Sequence, residues 1–176
     1  MILIYPAGMD ATAQILTHKL EELKGIMAAD EIFALKEMLK QSHTPAALEM
    51  IEEIGVHAVC EQMDTGVFGA LVALGNQEKV GIFVNPDRIF LLQPTKFLCK
   101  HYGLNPYRIP SAGCKLVVAK PSKGERLVNR LKEKGIPADK IGEITGDQEI
   151  YYMVNDTQLP IAKPAADEMQ KVLVNK

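Results

Sequence analysis

The sequence predicts an α/β-type domain, of class α+β, in which one mixed sheet is covered by helices. Two observations carry this. Residues 56–103 read as strand, helix, strand, helix, and residues from 115 onward as strand, helix, strand, strand, helix; two such units suggest a shared sheet with helices packed on it. No Ser-rich or low-complexity linker divides the 176 residues, a length that fits one domain with a core large enough to need no staples. One domain, 1–176, is expected, with a mainly helical entry segment over 1–55 and the mixed-sheet core over 56–176.

Taken in order, Leu3 and Ile4 begin a short apolar strand that ends at Pro6-Ala7-Gly8. Asp10 or Thr12 can cap the helix that follows, which carries Ile15, Leu16, Leu20 and Leu23 at roughly helical spacing and can stop at Gly25. A second helix starts after Asp30, with Ile32, Leu35 and Leu39 on one face. Thr44 and Pro45 suit the cap and first turn of a third helix, striped by Leu48, Ile51 and Ile54 and stopped at Gly55. Val56, Ala58 and Cys60 then alternate with His57, Val59 and Glu61, the period of a strand. The small-residue run from Gly66 to Leu74 reads as a buried helix, in which Gly66 and Gly69 let the first turn approach another backbone. Residues 80–84 read as a strand and 94–102 as a helix ended by Gly103. Asn105-Pro106 and Ile109-Pro110 keep the next connection extended. Residues 116–119 are a buried strand. Pro121 opens a helix that turns Leu127, Val128 and Leu131 inward and ends at Gly135. Residues 141–145 and 150–154 read as two strands joined through Gly146-Asp147, and a last helix from near Pro164 buries Met169, Val172 and Leu173.

Composition excludes several function classes. Apolar residues make up 47% and charged residues 24%, with a formal net charge of −2 and no basic stripe, so nucleic acid is not expected as a partner. No apolar run approaches the ~20 residues that span a bilayer, and the N-terminus has no secretory leader pattern, so no membrane association is expected. The three cysteines, Cys60, Cys99 and Cys114, fit no disulfide framework and read as reduced thiols in a cytoplasmic protein.

Two turns could meet a ligand. A strand that runs through a turn into a helix start offers free N–H groups and the positive end of the helix dipole to an anion. Here that turn contains Glu61, Asp64, Thr65 and Gly66. The alternative is that Asp64 or Thr65 only caps the helix and Gly66 serves close packing. The second turn is Ser111-Ala112-Gly113, where the Ser111 hydroxyl and the N–H groups around Gly113 precede a buried strand; the alternative is a plain turn. No catalytic constellation is visible. His57 with Cys60, and Cys99 with His101, lack metal-ligand spacing, so no metal is expected. Lys120, Lys123, Arg126 and Arg130 read as a solvated helix face.

Four stretches carry a family resemblance. The run Val56-His57-Ala58-Val59-Cys60-Glu61-Gln62-Met63-Asp64-Thr65-Gly66-Val67-Phe68-Gly69-Ala70-Leu71 resembles the segment of the aminoimidazole ribonucleotide synthetase-related family that reads His-Asp-Pro-Thr, one residue, Gly-Gly, then a helix of Gly-Ala-Leu type. Leu104-Asn105-Pro106, followed by Ser111-Ala112-Gly113 and an apolar strand, is similar to the family's Leu-Asp-Pro, Ser-Ser-Gly and strand. Ile141-Gly142-Glu143-Ile144-Thr145 is similar to its Ile-Gly, one residue, Val-Thr close. Tyr5-Pro6-Ala7-Gly8-Met9-Asp10 resembles the opening of the C-terminal domain in the hydrogenase-maturation-like branch.

The resemblance implies a C-terminal domain with three layers, α/β/α, partly ferredoxin-like. It implies that ATP and Mg²⁺ chemistry belongs to a separate N-terminal domain, and that Met1 already lies inside the C-terminal half. A separate ATP-binding domain or a homodimer is then the implied partner, with ATP/Mg as a cofactor only if that separate N-terminal domain is supplied. Against the family pattern, His-Asp falls on Cys60-Glu61, the Thr falls on Met63, and the first Gly of the Gly-Gly pair falls on Thr65. A hydroxyl able to bond a phosphate becomes a thioether, and a Cβ at Thr65 disfavours positive φ. The branch's carbamoyl-accepting terminal cysteine has no counterpart in Val174-Asn175-Lys176. The expectation is a binding or regulatory module without ATP turnover of its own, or else half of an ATP-dependent enzyme completed by a separate domain.

Overall fold

The computed structural model describes residues 1–39, 45–155, 157–162 and 168–173. Strands β1 (Ile2–Ile4), β2 (Ala58–Cys60), β4 (Lys115–Val118) and β5 (Ala138–Lys140) form an antiparallel sheet in the order β2-β4-β1-β5. The 1–55 segment thus contributes a central strand as well as helices. Register pairs Ile2 with Val117 and Leu3 with Leu116. Because strand side chains alternate between faces, Ile2, Ile4 and Val117 face one side. Two helices cover them there, α4 (Pro45–Ile54) through Met50, Ile51 and Ile54 and α7 (Pro121–Glu133) through Leu127 and Leu131. Lys123 donates to the Gly55 carbonyl at 2.6 Å and Arg130 pairs with Glu53 at 2.6 Å, so part of the basic face of α7 holds the end of α4.

Leu3, Leu116 and Val118 face the other side. They meet helix α5 (Gly66–Glu78) and a second sheet of β3 (Gly81–Val84), β6 (Gly142–Thr145), β7 (Ile150–Val154) and β8 (Thr157–Pro160), ordered β6-β3-β7-β8. Val67, Leu71, Ile82 and Val84 fill the space between them. β3 and β7 run parallel, and β6 and β8 are antiparallel edges. Helices α1 (Met9–His18), α2 (Leu20–Leu23), α3 (Ala29–Leu39), α6 (Gln93–Tyr102) and α8 (Gln170–Leu173) make a third apolar cluster around Ile15, Leu23, Leu35, Leu98 and Met169.

The α+β class and its layering are those expected from sequence. The number of sheets is not, since the strands make two sheets where one mixed sheet was predicted. β5 and β6 are separated only by Ile141, so a single buried residue carries the chain between sheets. The 141–145 and 150–154 strands are not neighbours, because β3 lies between them. β5 and β8 escape a pattern search: Ala138-Asp139-Lys140 and Thr157-Gln158-Leu159-Pro160 carry no apolar alternation. Leu48 and Leu173 are exposed rather than buried, and Ala47 and Met50 take the inner face of α4. The Leu39 side chain, the Thr44 cap and the Pro164 helix start lie outside the described residues. Among the described residues no helix is long and apolar enough to cross a membrane.

Candidate functional site

The two turns singled out from sequence lie side by side. β2 ends at Cys60 and α5 begins at Gly66. Between them the Met63 carbonyl accepts two N–H groups, that of Gly66 at 3.0 Å and that of Ser111 at 3.0 Å. The second bond joins the 61–66 turn to the 111–113 turn. Lys115, at the start of β4, reaches back to form an ion pair with Glu61; its side chain is largely buried while that of Glu61 is half exposed. Asp64 and Thr65 are exposed beside this pair.

Local geometry changes the meaning of several positions. Gly66 has φ +73, and a Cβ built there would stand 2.5 Å from the Tyr107 carbonyl oxygen. That carbonyl accepts the Phe68 N–H at 2.9 Å. The 105–111 loop therefore already satisfies part of the helix start. Thr65 sits at φ −100 and makes no side-chain cap bond. The anticipated strain at Thr65 is absent because Gly66, not Thr65, takes the positive φ. Thr65 instead lies over Gly69, where an added Cβ would collide with its hydroxyl. Met63 is 0% exposed, inside the central cluster. Its side chain is core, so the loss of a family hydroxyl at this position removes nothing from the surface.

Ser111 is buried. Its hydroxyl accepts the Gly8 N–H at 2.8 Å and donates to the Ile109 carbonyl at 3.0 Å. It fixes the turn that leads into α1. Gly113 is half-buried next to it. Sequence reasoning missed Lys115 as the partner of Glu61, although it falls inside the 104–119 stretch that carries the family pattern. Among the described residues no group of three or more His, Cys, Asp or Glu is placed to hold a metal ion.

The thiols are unequal. Burial, and then the charge of Asp10, push Cys114 up to about 12; burial, and then Glu168, push Cys99 up to about 11. Cys60 is half-buried, with its sulfur 3.7 Å from the Gln62 carbonyl oxygen. A disulfide-exchange reagent at about pH 8 is expected to label one thiol per native chain, Cys60, and all three after denaturation. Rapid native labelling of a second thiol would contradict this burial.

The family model described as "AIR synthase related protein, C-terminal domain" matches residues 2–155. The chain belongs to this family. No curated protein sequence matches the AIR synthase-related domain described here. Among solved structures it is similar to E. coli HypE, a hydrogenase maturation protein, with a TM-score of 0.78 and 15% identity over 97% of this chain and 52% of that one. It is also similar to HypE in a HypE–HypF complex, with a TM-score of 0.66 and 18% identity over 93% and 52%. T. maritima PurL complexed with ATP gives 0.57 and 22% over 91% and 24%. The AIR synthase-related domain spans about half the length of the HypE chains it matches. Identities this low carry the fold, not the activity.

Proposed function

We propose that this AIR synthase-related C-terminal domain is a hydrogenase-maturation-factor-like binding or regulatory module that takes an anion at its paired turns and does not turn over ATP by itself. The observation that supports the reading is the Ser111 N–H to Met63 carbonyl bond, which sets the two turns beside the partly exposed Lys115–Glu61 pair. In this reading Glu61, Asp64, Thr65 and Gly66 form one wall of the site, and Ser111 and Gly113 hold the other. A phosphate there displaces Glu61 from Lys115 and gains charge-assisted hydrogen bonds from the ammonium and the Thr65 hydroxyl.

Calorimetric titration with inorganic phosphate tests this. The expected affinity is about 1 mM, or about 4 kcal/mol. Lys115→Met keeps the buried stem and removes the charge, and should abolish the heat. A flat wild-type titration to tens of millimolar, or an unchanged Lys115→Met titration, would remove the anion site.

A second reading, half of an ATP-dependent enzyme completed by a separate domain, is favoured by the half-length coverage of the HypE chains and by the ATP in the PurL complex. It expects ATP turnover to appear only when an ATP-binding domain is supplied, and co-purification with such a domain distinguishes it.

A further inference from the structure

A second cleft, of about 660 Å³, opens where β3 and β7 end together. These two strands are parallel neighbours, so their carboxyl ends leave the sheet on the same side. In α/β sheets such an edge is where the backbone opens a crevice. The cleft's size is that of a small-molecule site. Its wall is aromatic: the rings of Tyr107 and Phe68 stack at 5.0 Å and 25°, and Tyr152 leans on Phe68 at 5.3 Å. Phe68 is buried beneath, so the two half-buried tyrosines present their rings and phenols to the opening.

Two asparagine side chains brace the backbone at the rim. The Asn85 side chain accepts the Asp87 N–H at 3.0 Å and fixes Asp87. The Asn105 side-chain oxygen accepts the Tyr107 N–H at 3.0 Å, which fixes Tyr107 and leaves the Asn105 NH₂ as a donor. Asn155 follows the β7 residue Val154, which pairs with Thr157, and has φ +46, a conformation asparagine tolerates. Groups pinned in this way lose little freedom when a ligand arrives. Burial first, and then Asp87 and Tyr152, raise the Tyr107 phenol, which therefore stays a protonated donor at neutral pH.

Charge narrows the ligand. Lys171 lines the cleft but is bound to Glu168 at 2.7 Å, and Asp87 presents a carboxylate. Arg108 lies 5.8 Å over the Phe68 ring and donates to the Ala162 carbonyl at 3.0 Å; with both cations engaged and Asp87 charged, the rim favours an uncharged ligand. Carboxamides supply both donor and acceptor, the pairing that the edge of a heterocyclic base requires, and aromatic side chains stack on its face. We propose that this cleft binds an uncharged, flat heterocycle of the nucleoside class, stacked against Tyr107 and Tyr152 and read by Asn105, Asn155 and Asp87. The cleft shares the Tyr107–Phe68 contact with the start of α5 but includes neither Glu61 nor Lys115, so the proposal holds whether or not the paired turns take an anion.

Calorimetry and saturation-transfer NMR on the full chain test the proposal with adenosine, cytidine, uridine, AMP and methyl glucoside as probes. At least one nucleoside should bind saturably. Tyr152→Leu should weaken it about tenfold, the loss expected for one base–aromatic stack. Asn155→Gly keeps the turn conformation and removes the carboxamide, and should weaken it about threefold to tenfold. AMP should bind more weakly than adenosine. The proposal is overturned if no nucleoside binds to its solubility limit, if AMP or methyl glucoside binds more tightly, or if both folded variants bind as the wild type does.

Discussion

Gly66→Ala is expected to lower the unfolding free energy by about 3 kcal/mol, because two costs act at one position. The residue sits at φ +73, which costs an alanine roughly 1–2 kcal/mol. A Cβ would also stand 2.5 Å from the Tyr107 carbonyl oxygen and 2.7 Å from the Arg108 Cα. Both neighbours are backbone, so the 105–111 loop must move as a piece, at a further cost of about 1–3 kcal/mol. Gly135→Ala separates the two effects. Gly135 has φ +71 and nothing within 4 Å of an added Cβ, so only the conformational cost applies there. Urea unfolding of both variants is the measurement. Equal losses would mean that the 105–111 loop does not press on the start of α5.

Met63→Thr restores the residue type of the family pattern and is expected to harm the protein without helping the site. Met63 is wholly buried among apolar side chains, and its backbone carbonyl joins the two turns. Threonine there leaves a void and buries a hydroxyl, together costing about 3 kcal/mol. Phosphate affinity should stay within about twofold, since the Met63 side chain lies in the core and the backbone carbonyl that joins the turns is kept. A gain of tenfold or more would show that the side chain faces the ligand after all.

The layers of this fold were legible because burial leaves periodic marks. Ile2 and Ile4 against Leu3, and Val117 against Leu116, alternate as a strand with two covered faces must. The Gly66–Leu74 run is apolar all round, and α5 is indeed enclosed by both sheets. Division into two sheets was not legible. It depends on pairings such as Ile2 with Lys140 and Ile82 with Ile144, and nothing local encodes contacts between residues so far apart in the chain. The site was half legible. A turn between strand and helix marked 61–66, and a Pro-flanked Ser-Ala-Gly marked 111–113. Their junction through one backbone carbonyl left no trace in residue type. Thr65 and Met63 share this property, since residue type does not encode which way a side chain faces: Met63 lies in the core and Thr65 lies over Gly69.

The most direct measurement is ATP turnover by the isolated 176-residue chain in the presence of Mg²⁺, run beside the phosphate titration on the same preparation. The expected result is saturable phosphate binding that Lys115→Met abolishes, with no release of phosphate from ATP above the buffer rate. Steady release of phosphate by the chain alone, lost in the same variant, would contradict a module without turnover of its own and place catalysis at the paired turns.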